Sequence, residues 1–71
     1  MIASDIKHRR KAAGISRQDR LVERLPYLPS GRKLTRDVLG YLEVPNTPVD
    51  EGDYQAIIST IDEIAAERSA A

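Results

Sequence analysis

Apolar residues recur along this chain in four groups, each at the three-or-four-residue spacing of a helix face and the first three closed by a residue that breaks helices. Ile2, Ile6 and Ala13, with Arg9 and Arg10 between them, form the first group. Ser4 stands where its N-cap belongs, and Gly14 stands where a left-handed residue would end it. Ser16-Arg17-Gln18-Asp19 reads as a second helix start, with Ser16 as cap and Asp19 in the reciprocal place of a capping box. Leu21, Val22 and Leu25 give that helix a short apolar face, and Pro26 stops it. Residues 26–33 (PYLPSGRK) carry two prolines, a serine and a glycine, which predicts a connecting loop with Tyr27 and Leu28 folded back onto the core.

Thr35 is placed to cap a third helix running to about Glu43, with Val38, Leu39 and Leu42 as its apolar residues. Pro45 forbids continuation and pushes Val44 out of helical geometry, so Asn46-Thr47-Pro48 forms a turn. Asp50 then caps a last helix whose first turn is acidic (Asp50, Glu51, Asp53), as the helix dipole favours. Tyr54, Ile57, Ile58, Ile61, Ile64 and Ala65 follow one buried stripe, fading near Arg68. No strand pattern and no repeat is present. The expected class is all-α, one compact domain of four to five helices over residues 1–71.

Composition narrows the chemistry. Seventy-one residues lie near the lower limit for a chain folding on one apolar core, and with no cysteine neither a disulfide nor a thiolate metal site can staple it. The single His8 builds no zinc site alone and reads as a surface residue. No apolar run approaches the roughly 20 residues that span a bilayer, and the first ten residues are charged too early for a signal peptide. The expectation is a cytoplasmic protein with no membrane partner. Asp50, Glu51 and Asp53 lack the spacing of a calcium loop. No nucleophile–base–orienter set, glycine-rich phosphate loop or metal cluster appears, so the chain is not expected to be an enzyme, to take a cofactor or to act on a small-molecule substrate.

The formal net charge of zero conceals a sharp division. Residues 1–36 hold ten basic and three acidic side chains, net +7, whereas residues 37–71 hold one basic and eight acidic, net −7. Halves of opposite sign point to one charged partner surface, and a basic half is the electrostatic footprint of nucleic acid; solvated helix faces are the alternative.

A capped short helix, a connection, and a second capped helix opening Thr-Arg-Asp make a unit whose second member can lie in a DNA major groove. Residues 6–16 (IKHRRKAAGIS) resemble the first helix and the Arg-x-x-x-Gly-Leu-Ser junction of the Cro and phage-repressor helix-turn-helix family. Residues 34–43 (LTRDVLGYLE), followed by Pro48, are similar to that family's recognition helix and exit turn. The resemblance implies a lambda-repressor-like domain and a Cro-like transcriptional regulator that binds a double-stranded DNA operator and represses by promoter occlusion.

By position, the resemblance has Thr35 capping the recognition helix and touching a phosphate. Arg36 and Asp37 read bases first, and Gly40 and Tyr41 read one turn later. Ser16, Arg17 and Gln18 clasp the DNA backbone, and Arg10 with Glu43 forms an ion pair linking the first and third helices. Arg36 would pair with guanine and Asp37 would accept from cytosine. Asp37 as a dipole partner or as a tether for Arg36, and Tyr41 as core packing or phosphate donor, stay open beside these roles. Lys7, Arg9, Lys11, Arg32 and Lys33 supply backbone contacts in part. The isoleucine stripe is core first; with Tyr54 it could extend into a homodimer contact, since operator symmetry mirrors a two-fold protein. The Ser69-Ala70-Ala71 end, expected to fray, resembles tails recognised by bacterial AAA+ proteases.

Three features depart from the family pattern: a longer connection at residues 26–33, Leu21 one residue later after Ser16, and an exit, Val44-Pro45-Asn46, without the customary glycine. A reading from a different class is a protein-interaction module, antitoxin-like or adaptor, that uses the acidic C-terminal helix.

Overall fold

The computed structural model describes residues 5–44 and 46–70, so the expected cap Ser4 and the end residue Ala71 lie outside the described residues. Four helices follow in order: α1 (Ile6–Ala12), α2 (Gln18–Arg24), α3 (Arg36–Leu42) and α4 (Glu51–Ala70). The chain is all-α, and its radius of gyration of 11.3 Å is close to the ~11 Å expected of a folded chain this long. Among the described residues no helix is long and apolar enough to cross a membrane.

The apolar periodicity becomes one core. Ile57, Ile58, Ile61 and Ile64 on α4 form a wall against which Ile6 of α1, Leu21 of α2, and Leu39 and Leu42 of α3 pack, with Ile15, Leu28, Leu34 and Val49 supplied by the connections. Each such side chain contributes about 1.5–3 kcal/mol by leaving water. Three seven-residue helices are too short to persist alone, so this shared wall is what holds them.

Helix ends account for most of the polar backbone bonds. Gly14 takes φ +80°, and the N–H of Gly14 and of Ile15 donate to the carbonyls of Lys11 and Arg10 at 3.0 Å each, closing α1 in a Schellman motif. Arg68 Nη1 of α4 donates to the Gly14 carbonyl at 2.6 Å. Thr35 Oγ1 accepts from Val38 N–H at 3.2 Å, and Asp50 Oδ1 accepts from Gly52 N–H at 2.9 Å. At the exit from α3, Asn46 takes φ +66°, so asparagine supplies the left-handed residue that glycine often does.

Three expectations are corrected. Ser16 does not cap α2: the helix begins at Gln18, Arg17 occupies the cap position, and no side chain caps it. The C-terminal helix does not fade at Arg68 but runs to Ala70. Tyr27 is 61% exposed, while Leu28 alone plugs the core. The reason is the form of the connection, which is a small hairpin. Tyr27 and Lys33 bridge antiparallel, Leu28 N–H donates to Arg32 O at 2.8 Å, and Leu34 N–H donates to Pro26 O at 2.9 Å. Neighbouring residues of an extended segment point to opposite sides, so burying Leu28 turns Tyr27 outward.

Gly14→Ala should destabilise the domain by about 1–2 kcal/mol, the cost of a Cβ in left-handed geometry, read as a lower urea midpoint at unchanged slope. The added Cβ also meets the Arg68 guanidinium, the far end of a flexible side chain that can move aside at the expense of its bond to the Gly14 carbonyl.

The Tyr54 hydroxyl sits 2.7 Å from both oxygens of Asp5. Donation from Tyr54, with Arg9 nearby, holds the Asp5 carboxyl below its ordinary 3.8, and the same bond pushes Tyr54 above its ordinary 10.0. The depressed acid stabilises fully above its unfolded value and loses the effect as pH falls through its folded value. The raised phenol stabilises fully below about 10 and loses the effect as pH rises further. Tyr54→Phe should therefore lower thermal stability across the neutral range, with the difference from the parent shrinking below pH 4 and above pH 10.

Candidate functional site

The site is built on a buried ion pair. Arg10 of α1 (4% exposed) and Glu43, the residue closing α3 (9% exposed), meet at 2.7 Å between Nε and Oε2. A second contact, Nη2 to Oε1, is 3.3 Å. Arg10 Nη1 donates to the Ile15 carbonyl at 2.8 Å. Gln18, the first residue of α2, donates its side-chain N–H to Glu43 Oε1 at 2.7 Å. Three helices are thus joined at one carboxylate. Both oxygens of the carboxylate are engaged, and among the described residues no buried side-chain polar atom lacks a partner, which is the condition under which a buried pair is tolerated.

Gln18 reaches Glu43 because α2 crosses α3 at Gly40. A Cβ on Gly40 would lie 3.8 Å from the Gln18 amide, an ordinary contact. Gly40 is therefore half-buried on the flank of α3 that faces α2. Arg36, one turn earlier on that flank, has a side chain 72% exposed, with Nε 2.9 Å from Asp19 Oδ1 of α2. Asp37 and Tyr41, again one turn apart, define the neighbouring outward stripe; Tyr41 is 55% exposed. Leu39 and Leu42 on the opposite side are buried.

Arg10, Ser16, Arg17, Gln18, Asp19 and Arg36 frame a polar depression of about 500 Å³. A neighbouring depression of about 400 Å³ is framed by Gln18, Thr35, Arg36 and Asp37. Gln18 and Arg36 belong to both, so the first turns of α2 and α3 share one surface. The fold thereby brings together Ser16, Arg17, Gln18, Thr35, Arg36 and Asp37. Arg32 and Lys33 do not line it; they are exposed on the returning limb of the hairpin, just before Thr35. Among the described residues Arg17, Arg32 and Lys33 have no carboxylate partner, whereas Arg24 is held by Glu67 at 2.6 Å and by Glu63 at 3.7 Å. No group of three or more candidate metal ligands occurs among the described residues.

Two relationships escaped the sequence reading. Asp19 was expected to close a capping box and Asp37 was one candidate tether for Arg36; in the structure Asp19 is the residue that meets Arg36. Helix pitch explains this, because Asp19 opens α2 on the side facing the start of α3. Gln18 joins Arg10 and Glu43, and here a signal existed. Gln18, Leu21, Val22 and Leu25 are spaced i, i+3, i+4, i+7 on one inward face.

Comparison with protein-family models, with curated proteins and with solved structures finds no match to this chain.

Glu43→Ala should cost about 3–5 kcal/mol by leaving the Arg10 guanidinium buried without its carboxylate. That is comparable with the whole stability of a domain this size, about 4–10 kcal/mol, so the variant should be largely unfolded by circular dichroism at 37 °C. Arg10→Met combined with Glu43→Leu should recover most of the loss, because no charge then stays buried alone.

Proposed function

We propose that the chain is a sequence-specific, operator-binding transcriptional regulator, a lambda-repressor-like helix-turn-helix domain that reads the major groove with α3 and represses by promoter occlusion. The observation carrying this reading is the two-sidedness of α3. Arg36, Asp37 and Tyr41 project outward while Leu39, Leu42 and the Glu43 carboxylate fix the other side to α1 and α2. With its side chains a helix is about 10–12 Å across, which fits a groove about 12 Å wide. A rigidly supported, exposed arginine on the first turn is the group best suited to a bidentate pair with guanine, the commonest specific contact to a base edge. Asp37 beside it would accept from cytosine N4, and Tyr41 would reach an edge or a phosphate one turn on.

The flanking groups suit the sugar–phosphate backbone. Ser16, Arg17, Gln18 and Thr35 frame the surface around α3's first turn, and the exposed Arg32 and Lys33 precede Thr35 along the chain. Gly40, half-buried and turned toward Gln18, contributes no side chain to base reading. Contacts from arginine and lysine release counterions, so log affinity should fall linearly with log salt concentration. The reading in which the acidic C-terminal helix docks a basic protein is weaker, because Glu63 and Glu67 already face Arg24.

Selection from random duplex DNA should enrich a defined site, and a palindromic consensus would mean a two-fold dimer. Arg36→Ala should cost about 5- to 150-fold in preference for that site, equivalent to about 1–3 kcal/mol, with the fold intact by circular dichroism. Arg17→Ala should weaken binding on all sequences alike and reduce the salt slope by about one. A pool with no enrichment over random sequence would refute the assignment.

A further inference from the structure

We infer that Asp19 is a positioning residue for sequence readout: it holds the Arg36 guanidinium by its Nε side and so presents the two terminal nitrogens to a single guanine. The inference rests on the reading of α3 as the DNA-recognition helix and extends it to a residue on a different helix.

The geometry points this way in three respects. First, the carboxylate and the guanidinium are in ion-pair contact, and the closest approach, 2.9 Å, is from Asp19 Oδ1 to Arg36 Nε rather than to a terminal nitrogen. A guanine presents two acceptors, O6 and N7, side by side in the major groove, and two parallel N–H groups are what they take. A carboxylate on the Nε side leaves that pair unoccupied. Second, Asp19 stands on a fixed support. Its neighbour Gln18 is bonded to Glu43 at 2.7 Å, and Glu43 is gripped by Arg10 at 2.7 Å. The start of α2 therefore has a set position relative to α3, and the carboxylate is held beside the arginine by the core. Third, the guanidinium stands at the rim of the open depression that it shares with Arg17 and Gln18, so the space in front of it is free.

The physical benefit is preorganisation. A solvent-exposed arginine samples many rotamers and loses that freedom when it pairs with a base. A carboxylate restraining it in advance removes part of that loss and also penalises alternative poses in which Arg36 swings to a phosphate. In water the ion pair adds little to stability, since both partners are well exposed and screened. Against DNA, with water displaced, the same contact strengthens. A carboxylate close to phosphates is otherwise repelled; pairing with Arg36, next to Arg17, offsets that repulsion.

The test uses the full chain on its selected DNA site, on that site with the Arg36-dependent base pair changed, and on random-sequence DNA. Asp19→Ala should fold as the parent does, and its discrimination at that one base pair should fall by about fivefold or more. Its affinity for random DNA should be equal to or higher than the parent's, because a negative charge has gone. Loss of selectivity without loss of general affinity is an outcome that simple damage to the fold would not produce. In the Arg36→Ala background, Asp19→Ala should change discrimination at that base pair no further, as two residues acting through one contact require. Glu23→Gln, which removes an exposed carboxylate from the same helix as Asp19, should leave discrimination at that base pair intact. If Asp19→Ala binds all DNA more tightly while retaining full discrimination, Asp19 merely competes for Arg36 and the positioning role is overturned. If the parent itself selects no site, the DNA-reading assignment fails first, and that is seen without any Asp19 variant.

Discussion

The Glu43 carboxylate is the point on which this small domain depends. Three helices of seven residues each have little intrinsic persistence, and an apolar wall alone fixes their burial better than their relative rotation. Hydrophobic burial is non-directional; a carboxylate receiving Arg10 from α1 and Gln18 from α2 is directional. With the acceptor fixed at the end of α3, the donors set how α1 and α2 are turned about their axes. That rotation decides which residues of α3 face outward. A pair this deeply buried adds little net stability compared with well-packed apolar side chains. Its contribution is to single out one arrangement of helices that would otherwise compete with neighbouring ones.

The opposed charges of the two halves of the chain are used in an analogous way. Arg10 with Glu43 and Arg24 with Glu63 and Glu67 each join a basic residue of the first half to acids of the second. Arg68, the one basic residue of the second half, reaches back to the carbonyl of Gly14 that closes α1. Part of the segregation is thus consumed in joining α1 to α3 and α2 to α4. Of the basic side chains without a carboxylate partner among the described residues, Arg17 stands at the start of α2, and Arg32 and Lys33 just precede the cap of α3. A chain of zero net charge can in this way carry a positive face, and net charge alone is a poor guide to its partners.

Much of the fold was legible because its signals are local. Apolar spacing, Thr35, Asp50 and Gly14 mark helices and their ends within a window of a few residues, and the structure places a helix on each group. The isoleucine stripe from Ile57 to Ile64 indicated the wall of the core for the same reason. The errors came where a residue's role is set by something distant. Ser16 has the composition of a cap, but α2 starts later, with Gln18 turned toward Glu43. Asp19 suits a capping box, yet the guanidinium of Arg36 is what it meets. Tyr27 is apolar enough to be placed inward, but the bridge to Lys33 fixes the alternation of the strand-like limb and turns it out. At the candidate site, the sequence indicated which side chains could read DNA; the partner that restrains the central one depends on tertiary packing.

A connection of residues 25–35 between α2 and α3 would leave α3 loosely attached if it were unstructured. Its internal bonding argues otherwise. Pro26 O accepts from Leu34 N–H at 2.9 Å, so the chain leaves and returns at nearly one point and the intervening residues close on themselves. Leu28 inserts into the core, and Ser30 is bonded to Asp53 of α4 through its N–H at 3.0 Å and its hydroxyl at 2.8 Å. Extra loop length costs little once the ends are closed, and here three separate anchors hold the loop. The closed loop therefore brings the end of α2 and the start of α3 together while leaving Tyr27, Arg32 and Lys33 exposed. It adds aromatic and basic groups to the surface just ahead of Thr35, and the Glu43 carboxylate fixes the helices on either side of it.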